Sequence, residues 1–156
     1  GRQLSLASTL IAAGIDTPVL KVKIDGFDTH EDQPWRHQRL LEDLGRAMSG
    51  FAQQMRKIGQ WDNTLVLTYS EFGRRAVENS TRGTDHGTAA PHFLAGGSIN
   101  GGIYGAHPSL SKLIDGDMQF TMDYRSVYDW VLSQWFEIEN NRFKAYRTAE
   151  LNTLVS

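Results

Sequence analysis

The sequence predicts an α/β fold, a mostly parallel sheet flanked by helices, as a single domain over residues 1–156. Three observations carry that prediction. An amphipathic helical pattern runs from Pro34 to Ile58, and an uncharged β-forming run follows at 64–69. An alternating segment at 19–24 precedes both, so the order strand, helix, strand makes a right-handed βαβ unit the expected topology. A chain of this size buries roughly 70% of its unfolded surface, enough for one core. With 40% hydrophobic and 10% aromatic residues, the composition is that of a globular chain.

The elements follow in order. Leu4, Ala7, Leu10 and Ile11 share one helical face, and Gly14 stands where helices commonly end. Leu20, Val22 and Ile24 alternate with Lys21 and Lys23, the pattern of a strand with one solvated face near a sheet edge. A polar turn at 25–30 comes next. In the long helix, Pro34 suits the first turn, and Leu40, Leu44, Met48, Phe51, Met55 and Ile58 recur at spacings of four and three before Gly59 stops it. The run at 64–69 reads as a central strand buried on both faces. Residues 70–88 read as a polar loop, 91–95 as a short strand and 96–102 as glycine-rich turns. A closing helix is expected at 122–136, with Asp123 as its N-cap and Tyr124, Val127, Tyr128, Val131 and Trp135 facing inward. The polar tail after Glu137 is expected to pack loosely.

Composition excludes several classes of function. The 16 basic and 18 acidic residues nearly balance, which argues against nucleic-acid binding by bulk charge. The absence of cysteine removes disulfides, cysteine zinc fingers and a cysteine nucleophile. No apolar stretch is long enough to span a bilayer, and no secretory segment is expected. A chain that starts Gly-Arg-Gln without Met reads as a processed or truncated product. There is no Gly-x-Ser-x-Gly elbow of a serine hydrolase, and the glycines at 96–102 lack the Lys-Ser/Thr of a phosphate loop. Asp115, Gly116 and Asp117 lack the mid-loop Gly and closing Glu of a calcium loop.

In open α/β sheets, ligands gather at the C-terminal ends of strands. That rule brings together the Asp-Thr-His at 28–30, the Ser-Glu-Phe-Gly-Arg at 70–74 and the Gly-Thr-Asp-His-Gly at 83–87. Asp28, His30, Glu71, Asp85 and His86 are thus expected on one edge. Imidazoles with carboxylates suit zinc, manganese or iron, and such an ion polarises an ester oxygen and makes hydroxide from water near neutral pH. Arg74, with Arg75 near it, is placed to hold an anionic group. Each motif alone also reads as an ordinary turn or ion pair, and it is their convergence that points to a metal or anion site. His37 is expected to be solvated on the polar face of the long helix, His92 to be packed or hydrogen-bonded, and His107 to lie in a loop.

The Gly-Phe-Asp-Thr-His at 26–30, the long helix, the segment 62–74 and the Gly-Thr-Asp-His-Gly-Thr-Ala-Ala at 83–90 together resemble the DUF1501 family, bacterial proteins related to the alkaline phosphatase and sulfatase superfamily. The resemblance covers about 4–136 and only the C-terminal part of such proteins. It implies an alkaline-phosphatase-like partial domain and hydrolysis of phosphate or sulfate esters at a metal site. By position, Asp28 and His30 resemble the first ligand pair of that superfamily, Glu71 the Asp of the second pair, and His86 with Gly87 the last His-Gly. An alternative register equates Asp85, His86 and Gly87 with an Asp-His-Gly motif, against which stands the lack of a predicted strand just before them. Asp85 is then a substitute ligand. Phe72 stands where a second-site His is expected, and the first pair is closer than the usual spacing.

The nucleophile of the superfamily lies N-terminal to everything in this chain, so the missing N-terminal segment is an expected partner. The predicted function is a metal-dependent hydrolase of anionic esters, complete or degenerate, holding a divalent cation such as zinc or manganese through Asp28, His30, Glu71, Asp85 and His86, with Arg74 on the substrate. The alternative is a non-catalytic member that binds a small ligand or a protein at the same edge. The resemblance also implies export to the periplasm.

Overall fold

The computed structural model describes residues 1–155. The chain divides into two compact units that alternate along the sequence. The first comprises Gly1–Tyr69, Val77–Asp85 and His92–Gly97, and the second Ser70–Ala76, His86–Pro91 and the chain from Ser98 onward.

In the first unit, helix α1 (Arg2–Ala12) packs on helix α2 (Gln33–Lys57). The apolar stripes expected of both helices meet: Ala7, Phe51 and Met55 form the core, with Leu4, Ile11, Trp61 and Val66 against it. Met55 is fully buried, and truncating such a side chain to Ala typically costs about 2–5 kcal/mol. Gly14 and Gly59 follow the two helices at φ of 74° and 68°, left-handed conformations that let the chain turn away without a Cβ clash. Strand β1 (Leu65–Leu67) pairs antiparallel with β4 (Leu94–Gly96), with Val66 opposite Ala95.

The parallel sheet does not form among the described residues. They form three two-stranded sheets, β1 with β4, β2 (Gly73–Glu78) with β3 (Thr84–Gly87), and β5 (Leu113–Ile114) with β6 (Asp117–Met118). The first and last are antiparallel, and the turn at 79–83 between β2 and β3 is too short for a parallel crossover. Residues 19–24 form no regular element, and no neighbouring strand forms a ladder with them, so the expected βαβ unit has no first strand. The alternation of Leu20, Val22 and Ile24 with lysines was a sound local signal. A strand nevertheless needs a hydrogen-bonding neighbour, and these side chains stay 37–42% exposed. The polar stretch read as loop at 70–88 instead contains β2 and β3. The unit boundary crosses both strands, between Ala76 and Val77 and between Asp85 and His86.

In the second unit, Asp123 caps helix α3 (Tyr124–Trp130) by accepting a hydrogen bond from the Arg125 backbone N–H at 2.9 Å, as expected of its position. The helix continues as a π-helical turn at Val131–Trp135. Its buried positions are Ser126, Asp129, Trp130 and Ser133, not the predicted stripe. Tyr124 and Tyr128 instead stack edge-to-face at 5.5 Å, with Tyr124 exposed. The tail is better packed than its polarity predicts, because Leu151 and Leu154 are buried and Arg147 reaches the inward-facing Asp129. The two Asp129 oxygens accept from Arg147 Nε at 2.8 Å, Arg147 Nη2 at 3.3 Å and Asn141 Nδ2 at 2.9 Å. The Arg147 guanidinium holds the Asp129 carboxyl below the ordinary carboxylate range, against the opposing effect of burial, with Asn141 adding to the depression. The β5–β6 hairpin turns through Asp115 and Gly116, both at positive φ, the requirement of a tight primed turn.

Candidate metal centre

The site begins with the short irregular segment after Gly26. Its side chains alternate: Asp28 and His30 are exposed, and Thr29 between them is 2% exposed. The Thr29 Oγ1 has no hydrogen-bond partner among the described residues. Asp28 Oδ1 lies 3.1 Å from His30 Nε2, and Asp85 Oδ1 lies 3.5 Å from His30 Nδ1, so one imidazole stands between two carboxylates within the first unit.

The segment is held from behind by the turn at 79–83. The His30 carbonyl accepts from Asn79 Nδ2 at 3.0 Å and from Thr81 Oγ1 at 2.6 Å. Gly83 lies against the same peptide so closely that a Cβ there would overlap the His30 carbonyl. Helix α2 starts under the same turn. The Asp32 N–H donates to the Thr81 carbonyl at 3.1 Å and the Gln33 N–H to the Arg82 carbonyl at 3.0 Å. These carbonyls take the N–H groups of the N-cap residue and of the first helical residue, and the Asp32 side chain itself makes no cap hydrogen bond. Asp32 and Arg82 both occupy left-handed backbone conformations, at φ of 44° and 60°, and their side chains form an ion pair with each other. Thr84 Oγ1 donates to Gln33 Oε1 at 2.8 Å, which ties the start of β3 to the start of α2.

The second unit carries the remaining candidates. Asp85 and His86 are consecutive in β3, so a strand does carry the Asp-His-Gly residues, contrary to the sequence expectation. The His86 ring stacks face-to-face on Phe72, with centroids 3.8 Å apart and planes 7° apart. The Arg74 guanidinium lies 5.0 Å from the Phe72 centroid. Glu71 is exposed in the bend before β2. Behind His86, the Thr88 N–H donates to the Asp117 carboxylate at 3.0 and 3.3 Å, and the Thr88 hydroxyl to the Met118 carbonyl at 3.1 Å. Gly73 and Gly87 have no room for a Cβ, against the Ala89 and Arg74 backbones respectively.

A family model described as a protein of unknown function, DUF1501, matches residues 1–140. The chain belongs to the DUF1501 family. No curated protein and no solved structure matches it. In this DUF1501 chain the matched span includes every candidate residue from Asp28 to His86 and stops short of Arg147. Among the described residues, no helix is long and apolar enough to cross a membrane.

The other histidines sort as follows. His92 is half-buried with Nδ1 3.1 Å from the Thr68 carbonyl, as expected. His107 lies in a loop with Nδ1 2.7 Å from the Pro108 carbonyl. His37 is not fully solvated: it is half-buried, packs edge-on against Phe27 at 5.6 Å, and has Nε2 3.4 Å from the Phe27 carbonyl. Asn79 and Thr81 escaped the sequence reading. The available signal was turn chemistry, an Asn-Ser-Thr run closed by Gly83 between two β-compatible segments.

Proposed function

We propose that this DUF1501 chain is a metal-dependent hydrolase of phosphate or sulfate esters, related to the alkaline phosphatase and sulfatase superfamily and sharing its α/β setting. The observation that carries the reading is the His30 imidazole between the Asp28 and Asp85 carboxylates. The donors fit a divalent cation. Ligand bonds of roughly 2.0–2.2 Å at a tetrahedral angle place neighbouring donor atoms about 3.3–3.6 Å apart, and Asp28 Oδ1 and His30 Nε2, separated by 3.1 Å, lie close to that spacing. Asp85 faces the other ring nitrogen, the place of a carboxylate that fixes the tautomer and orientation of a ligating imidazole. The family resemblance extends the ligand set to His86, one peptide bond beyond Asp85, and to Glu71, and assigns Arg74 to the substrate anion. Zinc or manganese suits such a mixed nitrogen and oxygen set.

When bound, such a cation polarises an ester oxygen and lowers the pKa of water toward neutrality. The chain's own contributions are then distinct. Asp28 and His30 bind, Asp85 keeps the imidazole oriented, and the Arg74 guanidinium offers a planar fork to an anionic oxygen pair. No side chain here is assigned as nucleophile. That role is proposed for a segment preceding these residues, in a protein exported to the periplasm.

A second reading has its own observation. Phe72 occupies the position of an expected histidine, and its ring is engaged in the stack with His86. That arrangement favours a member of the same superfamily that binds an anionic ligand or a protein without turnover. The two readings separate in one experiment. Protein dialysed against zinc or manganese and then against metal-free buffer is assayed for metal per chain, and p-nitrophenyl phosphate and sulfate are offered to the full-length protein. Stoichiometric metal with turnover supports the hydrolase; stoichiometric metal without turnover supports the binding protein. Metal at trace level, unchanged in His30→Ala, defeats the hydrolase reading.

A further inference from the structure

We propose that Asn79 and Thr81 are positioning residues of the metal centre, setting where the His30 imidazole stands by fixing its own peptide. The proposal rests on the metal reading above, and it concerns residues that touch neither the ion nor the substrate. Asn79 uses both ends of its amide. Its Oδ1 accepts from the backbone N–H groups of Thr81 at 3.0 Å and Gly83 at 2.9 Å, and its Nδ2 donates to the His30 carbonyl at 3.0 Å. Two N–H donors on one atom assign that atom as oxygen, so the amide has one allowed orientation and the amino group is the end that meets His30.

Thr81 supplies the second donor. Its single hydroxyl proton has two acceptors in range, the His30 carbonyl at 2.6 Å and Asn79 Oδ1 at 2.9 Å, and the shorter contact is the one to His30. Both lone pairs of the His30 carbonyl are thereby engaged by residues 49 and 51 positions away. Gly83 closes the turn against the same peptide without room for a side chain.

A carbonyl held by two donors fixes the peptide plane, and with it the direction in which the His30 side chain leaves the backbone. That direction decides whether the ring can meet Asp28 and Asp85 together. Both carboxylates are exposed, whereas the His30 carbonyl is held by two donors from the turn at 79–83. Supporting hydrogen bonds of this kind outside a ligand shell commonly change metal affinity by roughly 10–100-fold when removed.

The test uses isosteric substitutions. Asn79→Asp keeps the acceptor toward Thr81 and Gly83 but replaces the amino donor with an oxygen facing the His30 carbonyl. Thr81→Val removes the hydroxyl at constant shape, and Thr81→Ser returns it. Calorimetric titration of the purified full chain with zinc or manganese is expected to show about tenfold or greater weakening in Asn79→Asp and Thr81→Val, with recovery in Thr81→Ser. Wild-type affinity in both of the weakening variants overturns the proposal. If Asn79→Asp fails to fold, the Thr81 pair decides alone. Should the wild-type protein bind neither ion, the metal reading fails separately, and imidazole NMR of the metal-free protein decides the positioning claim. The His30 ring resonances are then expected to move in Thr81→Val and return in Thr81→Ser, while those of His92 and His107 stay in place. Unmoved His30 resonances overturn it.

Discussion

Two clusters of carboxylate and nitrogen groups occupy this chain, and they differ in what surrounds them. Around Asp129 the carboxylate is buried, a guanidinium meets it through two nitrogens, and an amide completes its hydrogen bonds. Around His30 the two carboxylates are exposed and converge on one imidazole ring, while the His30 carbonyl beneath is held by two donors. The first arrangement is saturated: every strong acceptor has a fixed donor, so its consequence is the anchoring of the tail on α3. The second is exposed to solvent over a backbone held by hydrogen bonds from the turn at 79–83, the arrangement proposed above to take a metal ion. Residue types alone do not separate the two, because both clusters are built from Asp with a nitrogen base. Burial and saturation separate them.

The sharpest way to break that contrast is at His30. Replacing it with Ala is expected to lower zinc or manganese affinity by about a hundredfold or more, since it removes the imidazole proposed as a direct ligand. The melting temperature is expected to stay within a few degrees of wild type because the side chain is exposed. Calorimetry and thermal denaturation on the same preparation read both numbers, and a large loss of stability without loss of affinity would reverse the assignment.

Asp129→Ala is the converse. Removing one member of a buried ion pair costs about 3–5 kcal/mol, and the partial exposure of Arg147 reduces the expectation here to roughly 2–3 kcal/mol. Urea denaturation measures it, and metal affinity is expected to be unchanged. A smaller effect is expected from Asp85→Asn, which keeps a hydrogen-bond acceptor near His30 Nδ1 but removes its charge. Affinity is expected to fall by about tenfold with stability unaltered, again by titration.

The mildest perturbation is pH. Because Arg147 depresses the Asp129 carboxyl, the stabilisation it contributes is fully present above the ordinary carboxylate value of about 4. It is lost as the pH falls through the lowered native value. Asp129→Asn is therefore expected to show a weaker decline in melting temperature over the acid range than wild type, and identical acid profiles for the two proteins would remove Asp129 from the account.

The legibility of the chain follows the same division between local and distant causes. Helix α2 was readable because its stripe repeats with the helical period over many turns, and Phe51 and Met55 bury as that stripe requires. The Asp123 cap was readable because it acts within its own first turn. The segment at 19–24 has an equally good local pattern, yet no neighbouring strand completes it among the described residues. The strands at 73–78 and 84–87 were obscured by charge, since β2 is solvated over most of its length. Asp28, His30 and Asp85 could be named from motif spacing. Asn79 and Thr81 could not, because their role is expressed only on a carbonyl some fifty positions away.

By itself the sequence determined the long helix, the Asp123 cap of α3 and the chemical types available for a site, because each depends on neighbours within a few residues. Tertiary structure alone decided which strands pair, which of two aspartate clusters is sealed, and which turn holds His30. Those outcomes depend on hydrogen-bond partners brought from far along the chain, and a hydrogen bond records where two groups meet, a fact that neither group carries in its own sequence.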